Sequence, residues 1–99
     1  MSIVEQEKIY VGAVGVVITL ATEKDLTSAT VTEIHVKKPD GTAVEWLATV
    51  ENNESLVYTT VEDDLDIPGN YVLHAYAEWL DLSKSLGNSV VLKVYAKYT

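Results

Sequence analysis

Asp64-Leu65-Asp66-Ile67-Pro68-Gly69-Asn70-Tyr71 is the stretch on which the fold of this chain turns. An acidic turn carrying Pro-Gly runs directly into a strand that begins at Tyr71. Pro68 fixes its own φ, and Gly69 is free to take the positive φ of a type II turn. Tyr71-Val72-Leu73-His74-Ala75-Tyr76-Ala77 then alternates with period two and is rich in β-branched and aromatic residues, as a strand with one buried face should be. In this phase Tyr71, Leu73, Ala75, Ala77 and Trp79 point inward, and Val72, His74 and Tyr76 point outward.

The same grammar continues on both sides. Residues 8–22 form a first β region, which Gly12 and Gly15 divide into two short strands. Residues 29–38 form a strand with Ile34 and Val36 on one face and Glu33, His35 and Lys37 on the other. Pro39-Asp40-Gly41-Thr42 is a hairpin turn. Residues 43–51 read as one strand that turns Val44, Trp46, Ala48 and Val50 inward. After Asn52-Asn53-Glu54, residues 55–61 place Leu56, Tyr58 and Thr60 on a common face. Residues 80–88 read as a loop or short helical turn, and residues 89–98 as a last strand with Val90, Leu92, Val94 and Ala96 inward. No gap holds an amphipathic crossover helix, so the pairing should be mainly antiparallel. The expected fold is all-β: an Ig-like antiparallel β-sandwich of about seven strands forming a single domain over residues 1–99, with a small barrel as the rival closure.

Composition narrows the function classes. The chain has 99 residues, of which 47% are hydrophobic, enough for one core. It has no Cys, which removes disulfides and thiolate chemistry and fits a reducing compartment. The net charge is −8, with seven Lys and no Arg. Nucleic-acid binding needs a basic face and is not expected; the acidic surface also argues against anionic membranes. Residues 1–8 lack the basic and apolar regions of a secretion signal, and residues 11–20 are too short and too broken to span a bilayer.

No arrangement for catalysis is visible. There is no nucleophile elbow, P-loop or dinucleotide fingerprint, so no enzymatic activity, catalytic residue or cofactor is expected. His35 and His74 fall on the outward phase of their strands and become neighbours if those strands pair; Glu33 and Glu78 are their only obvious co-ligands, and no metal is expected there. Glu62, Asp63, Asp64 and Asp66 crowd carboxylates into one loop, a composition suited to Ca²⁺, but the Gly and closing Glu of an EF-hand loop are missing. The alternative is a solvated acidic corner with Asp66 capping the turn. Trp46 and Trp79 both fall on the inward phase, where core packing explains them better than a sugar platform does.

The outward phases are less polar than solvation alone requires. Leu47, Val72, Tyr76, Val91 and Tyr95 face away from the inferred core and would form a patch if the last two long strands pair. A subunit interface and ordinary cross-strand pairing both account for such a patch.

Several segments resemble small Ig-like structural proteins of phages and prophages, and the N-terminal domain of phage baseplate upper proteins. They are Tyr10-Val11-Gly12, Asp25-Leu26-Thr27-Ser28-Ala29-Thr30, Lys38-Pro39-Asp40-Gly41-Thr42 with Trp46, Tyr58-Thr59-Thr60, Leu65-Asp66-Ile67-Pro68-Gly69-Asn70-Tyr71, and Val90-Val91-Leu92-Lys93-Val94-Tyr95. The likeness covers nearly the whole chain and lies in turn and core residues. It implies a virion or tail-associated protein, located in the virion or in the host cytoplasm before assembly. Such a protein works through contacts with other phage proteins or as a homo-oligomer, with no nucleic-acid or membrane partner. Read as a single domain, the chain is expected to lack a baseplate protein's further modules. The competing reading is a bacterial accessory β-sandwich that binds carbohydrate or cell-wall polymer, which requires exposed aromatic side chains.

Overall fold

The computed structural model describes residues 8–99, so the reading of residues 1–7 lies outside the described residues. Two sheets pack into an Ig-like β-sandwich, and no helix occurs among the described residues. The larger sheet holds β1 (Ile9–Tyr10), β9 (Val90–Tyr95), β7 (Gly69–Glu78), β3 (Val31–Lys37) and β4 (Ala43–Leu47) in that order, with β8 (Lys84–Leu86) also on β7. The smaller sheet runs β2 (Val17–Ala21), β6 (Ser55–Thr59), β5 (Thr49–Glu51). All pairs are antiparallel except β1 with β9.

As expected, Gly12 and Gly15, with φ of 88° and 85°, divide the first β region, and the bend between them sends β1 and β2 into different sheets. The described residues hold nine strands where about seven are expected, for two local reasons. The run 43–51 is not one strand. It changes sheets at Ala48, whose N–H and C=O bond to the backbone oxygen and hydroxyl of Thr32 while β5 goes on to pair with β6. The segment 80–88 holds no helical turn but a strand, β8, on the same edge of β7 as β9. Opposite His74 and Ala75, which separate the two ladders on β7, the partner edge carries three residues, 87–89, so β8 and β9 are one strand interrupted by a bulge.

The corner closes on the Tyr71 hydroxyl as the sequence indicates, but Gly69 is already the first residue of β7 and its positive φ lies well past the roughly 80° of a type II turn. Gly69 has φ 131°, and the Tyr71 hydroxyl donates to the Ile67 carbonyl at 2.6 Å while accepting from the Ile67 N–H at 3.2 Å. Tyr71 is fully buried, with Ile34, Leu56, Leu65, Leu73 and Val94 around it in the core. Trp46 is 4% exposed and stacks on Tyr58, 4.7 Å between ring centroids, joining β4 of one sheet to β6 of the other. Burial pushes the Tyr58 hydroxyl up to about 12, helped by its 2.6 Å bond to the Asp64 carboxylate. Val50 keeps its inward phase opposite Leu56 but is 38% exposed on its edge strand. Val90 and Ala96, expected inside, are exposed, Val90 beside the bulge and Ala96 past the end of β9.

Candidate functional site

The outer face of the larger sheet collects most of the residues singled out as an interface. Because cross-strand partners share a face, the register defines its rows. Leu47, Glu33, Tyr76 and Leu86 form one row across β4, β3, β7 and β8. Glu45, His35 and His74 form the next, and Ala43, Lys37, Val72 and Val91 the one after. Asn70 and Lys93 follow. Tyr95 lies beyond them, paired with Tyr10 of β1.

The five predicted residues therefore divide. Val72 and Val91 are direct cross-strand partners. Leu47 and Tyr76 share a row with Glu33 between them. Tyr95 stands apart at the far end, half-buried against the Tyr10 ring, with the ammonium groups of Lys8 and Lys93 at 4.9 and 5.0 Å from its own ring. It is engaged within its own domain. Leu86, 57% exposed beside Tyr76, belongs to the patch and was missed because its segment read as a loop. Leu47 and Val91 are 77% and 59% exposed, a large apolar area left without cover.

The polar groups of this face are held in fixed positions. His35 and His74 are direct partners, as strand pairing allows. The His35 ring stacks on Tyr76 at 4.3 Å, and its Nε2–H donates to the Glu33 carboxylate at 3.1 Å. His74 Nδ1–H donates to the Gly87 carbonyl at 2.7 Å, which anchors the bulge. The Tyr76 hydroxyl donates to the Glu78 carboxylate, and that bond pushes the phenol up to about 12. A shallow hollow of about 230 Å³ between His35, Lys37, Ala43 and Val72 completes the face.

The acidic corner is organised differently from either reading of the sequence. Asp64 accepts from the Tyr58 hydroxyl and the Val61 N–H at 2.6 and 2.8 Å. Asp66 does not cap the Pro-Gly turn. It pairs with Lys38 at 2.9 Å, and the same ammonium donates to the Asp63 carbonyl. The hydrogen bond from Lys38 lowers the Asp66 carboxyl and raises the Lys38 ammonium. Asp66 thus fastens the β3–β4 hairpin to the corner, and Asp64 ties the corner to Tyr58 of β6. Among the described residues no three His, Asp or Glu side chains gather as a metal site.

Trp79 departs from its expected place. It sits on the inward phase just past the end of β7 and is only half-buried, packed against the core from its edge. Among the described residues no helix is long and apolar enough to cross a membrane. Compared with known proteins, the chain matches no family model, no curated protein and no solved structure.

Proposed function

We propose that this protein is a virion or tail-associated structural protein of a phage or prophage, acting through protein–protein contacts made by the outer face of its larger sheet. The carrying observation is the uncovered apolar group Leu47, Leu86 and Val91 beside Val72 and Tyr76, on a rigid sheet rather than on loops. The resemblance of the turn and core segments to small Ig-like phage structural proteins supplies the biological setting.

The charge pattern favours a second copy as the occupant. Glu33, Glu45 and Glu78 lie towards one end of this face, with Lys84 across from Glu78, and Lys37 and Lys93 lie towards the other. A two-fold axis running across the strands sets one sheet face to face with its copy and brings each acidic end over the other's basic end. The apolar rows then meet near the axis, which is the self-complementarity an isologous contact requires. The net charge of −8 opposes indiscriminate clumping and leaves this face the favoured contact. Mass spectrometry of particles induced from the host and banded on a density gradient tests the assignment. The chain should co-purify with tail proteins in a fixed ratio, and its absence from intact particles would overturn the reading.

A further inference from the structure

We propose that the end of the sandwich around Trp79 is a binding site for a neutral saccharide, with a pyranose ring lying against the indole. The site shares Tyr76, Lys84 and Leu86 with the edge of the outer sheet face, but it centres on Trp79 and does not require that face to form a contact.

The site begins with a change of side-chain size along β7. Its inward residues are Tyr71, Leu73, Ala75, Ala77 and then Trp79. The two alanines, with Gly87 of the bulge beside them, leave space where a larger side chain would fill the core. A cavity of about 210 Å³ results, with Leu26 and Leu56 as its floor and Trp79 as a wall. Thr22, Lys24, Ser85 and Asn88 supply polar groups around it. A second, more open hollow of about 560 Å³ continues past Trp79 and shares Lys24 and Ser85 with the first. The half-buried indole therefore lines both hollows, and the larger one has the size that small ligands occupy.

The lining chemistry selects the ligand class. Asp25 and Asp81 border the second hollow in two copies of one local motif, Asp25-Leu26-Thr27 and Asp81-Leu82-Ser83. In each, Oδ1 accepts both the backbone N–H and the hydroxyl of the residue two positions on, at 3.0 and 2.7 Å for Asp25 and at 3.0 and 2.6 Å for Asp81. Among the described residues Oδ2 of each carboxylate has no hydrogen-bond partner and can accept from a ligand hydroxyl. Lys24 and Lys84 balance the two carboxylates, so the lining carries no net charge to attract an ion of either sign. An aromatic wall, paired hydroxyl acceptors and donors, and electrical neutrality suit a molecule with one apolar face and a rim of hydroxyls. The adjoining loop is held in an unusual shape: Leu82 has φ 71°, in the left-handed region that bulky residues avoid, and its N–H bonds the Trp79 carbonyl at 2.9 Å.

The test is an NMR titration of the full chain with glucose, galactose, N-acetylglucosamine, cellobiose and chitobiose, read at the indole N–H signals. At least one sugar should shift the Trp79 signal saturably in the millimolar range and leave Trp46 unmoved. Trp79→Ala should abolish saturable shifts at the Ala75 and Gly87 amides while the Trp46 signal shows the fold intact. Ala75→Leu, which fills the space left by the alanine and keeps the indole, should weaken binding about tenfold or more. No saturable shift with any of the five sugars would overturn the proposal. So would binding that survives Trp79→Ala.

Discussion

Replacing Tyr71 by Phe removes one oxygen from a fully buried side chain and leaves the ring in place. That oxygen makes two bonds, donating to the Ile67 carbonyl at 2.6 Å and accepting from the Ile67 N–H at 3.2 Å. Both partners sit on a half-buried residue, so the loss exceeds that of a solvent-facing pair. A backbone group stranded by removal of its partner costs about 1–3 kcal/mol. Taking about 2 kcal/mol, and a shift of about 4–8 °C per kcal/mol for a domain of this size, the midpoint should fall by roughly 8–16 °C. Thermal and urea unfolding followed by circular dichroism measure this, and the urea m value should stay unchanged because the surface exposed on unfolding is the same. A midpoint within about 2 °C of the parent would refute the claim that the hydroxyl holds the corner.

Three further perturbations probe the scaffold. Gly69→Ala should destabilise by about 2–5 kcal/mol in urea unfolding, since a Cβ there meets Pro39 Cβ and Cγ at 2.8 Å and the φ of 131° excludes an L side chain; no change in midpoint would mean the turn relaxes freely. Trp46→Ala should cost about 3–5 kcal/mol by the same assay, and a cost under about 1 kcal/mol would place the ring outside the core. The folded Asp66 carboxyl lies below its ordinary 3.8 because Lys38 hydrogen-bonds it, so its contribution is present above that value and is lost as pH falls through the lowered one. The urea midpoints of the parent and Asp66→Asn should differ at neutral pH and converge on acidification, whereas a gap independent of pH would rule the ion pair out as its source.

Local chemistry made part of this molecule legible in its sequence. Gly69 and Tyr71 announced the corner because only a positive-φ residue and a long hydroxyl-bearing ring meet its geometry. Pro39-Asp40-Gly41-Thr42 announced its hairpin, in which Asp40 accepts from the Thr42 N–H at 2.9 Å and Gly41 takes φ 90°. The sheet change at Ala48 was hidden, since period-two alternation continues through it and the bonds that redirect the chain come from Thr32, far away in sequence. The bulge at 87–89 was hidden for a similar reason, as its register depends on His74 and the backbone of Ala75. Of the outer face, Val72, Tyr76 and Val91 were readable from phase alone. That Tyr95 is covered by Tyr10 depends on a parallel pairing that no local signal encodes. Trp79 read as core because phase reports direction, not how much of a side chain its neighbours cover.

The most direct test of the proposed contact is sedimentation equilibrium of the parent chain beside Val91→Glu, each over a wide concentration range at low and high salt. Val91 is 59% exposed within its domain, so glutamate there leaves the fold intact while placing a charge in the middle of the contact. The account predicts a concentration-dependent dimer for the parent that weakens as salt screens its complementary ends, and a monomer with an unchanged melting curve for the variant. A parent chain that stays monomeric throughout, or a Val91→Glu chain that associates as strongly as the parent, would contradict it.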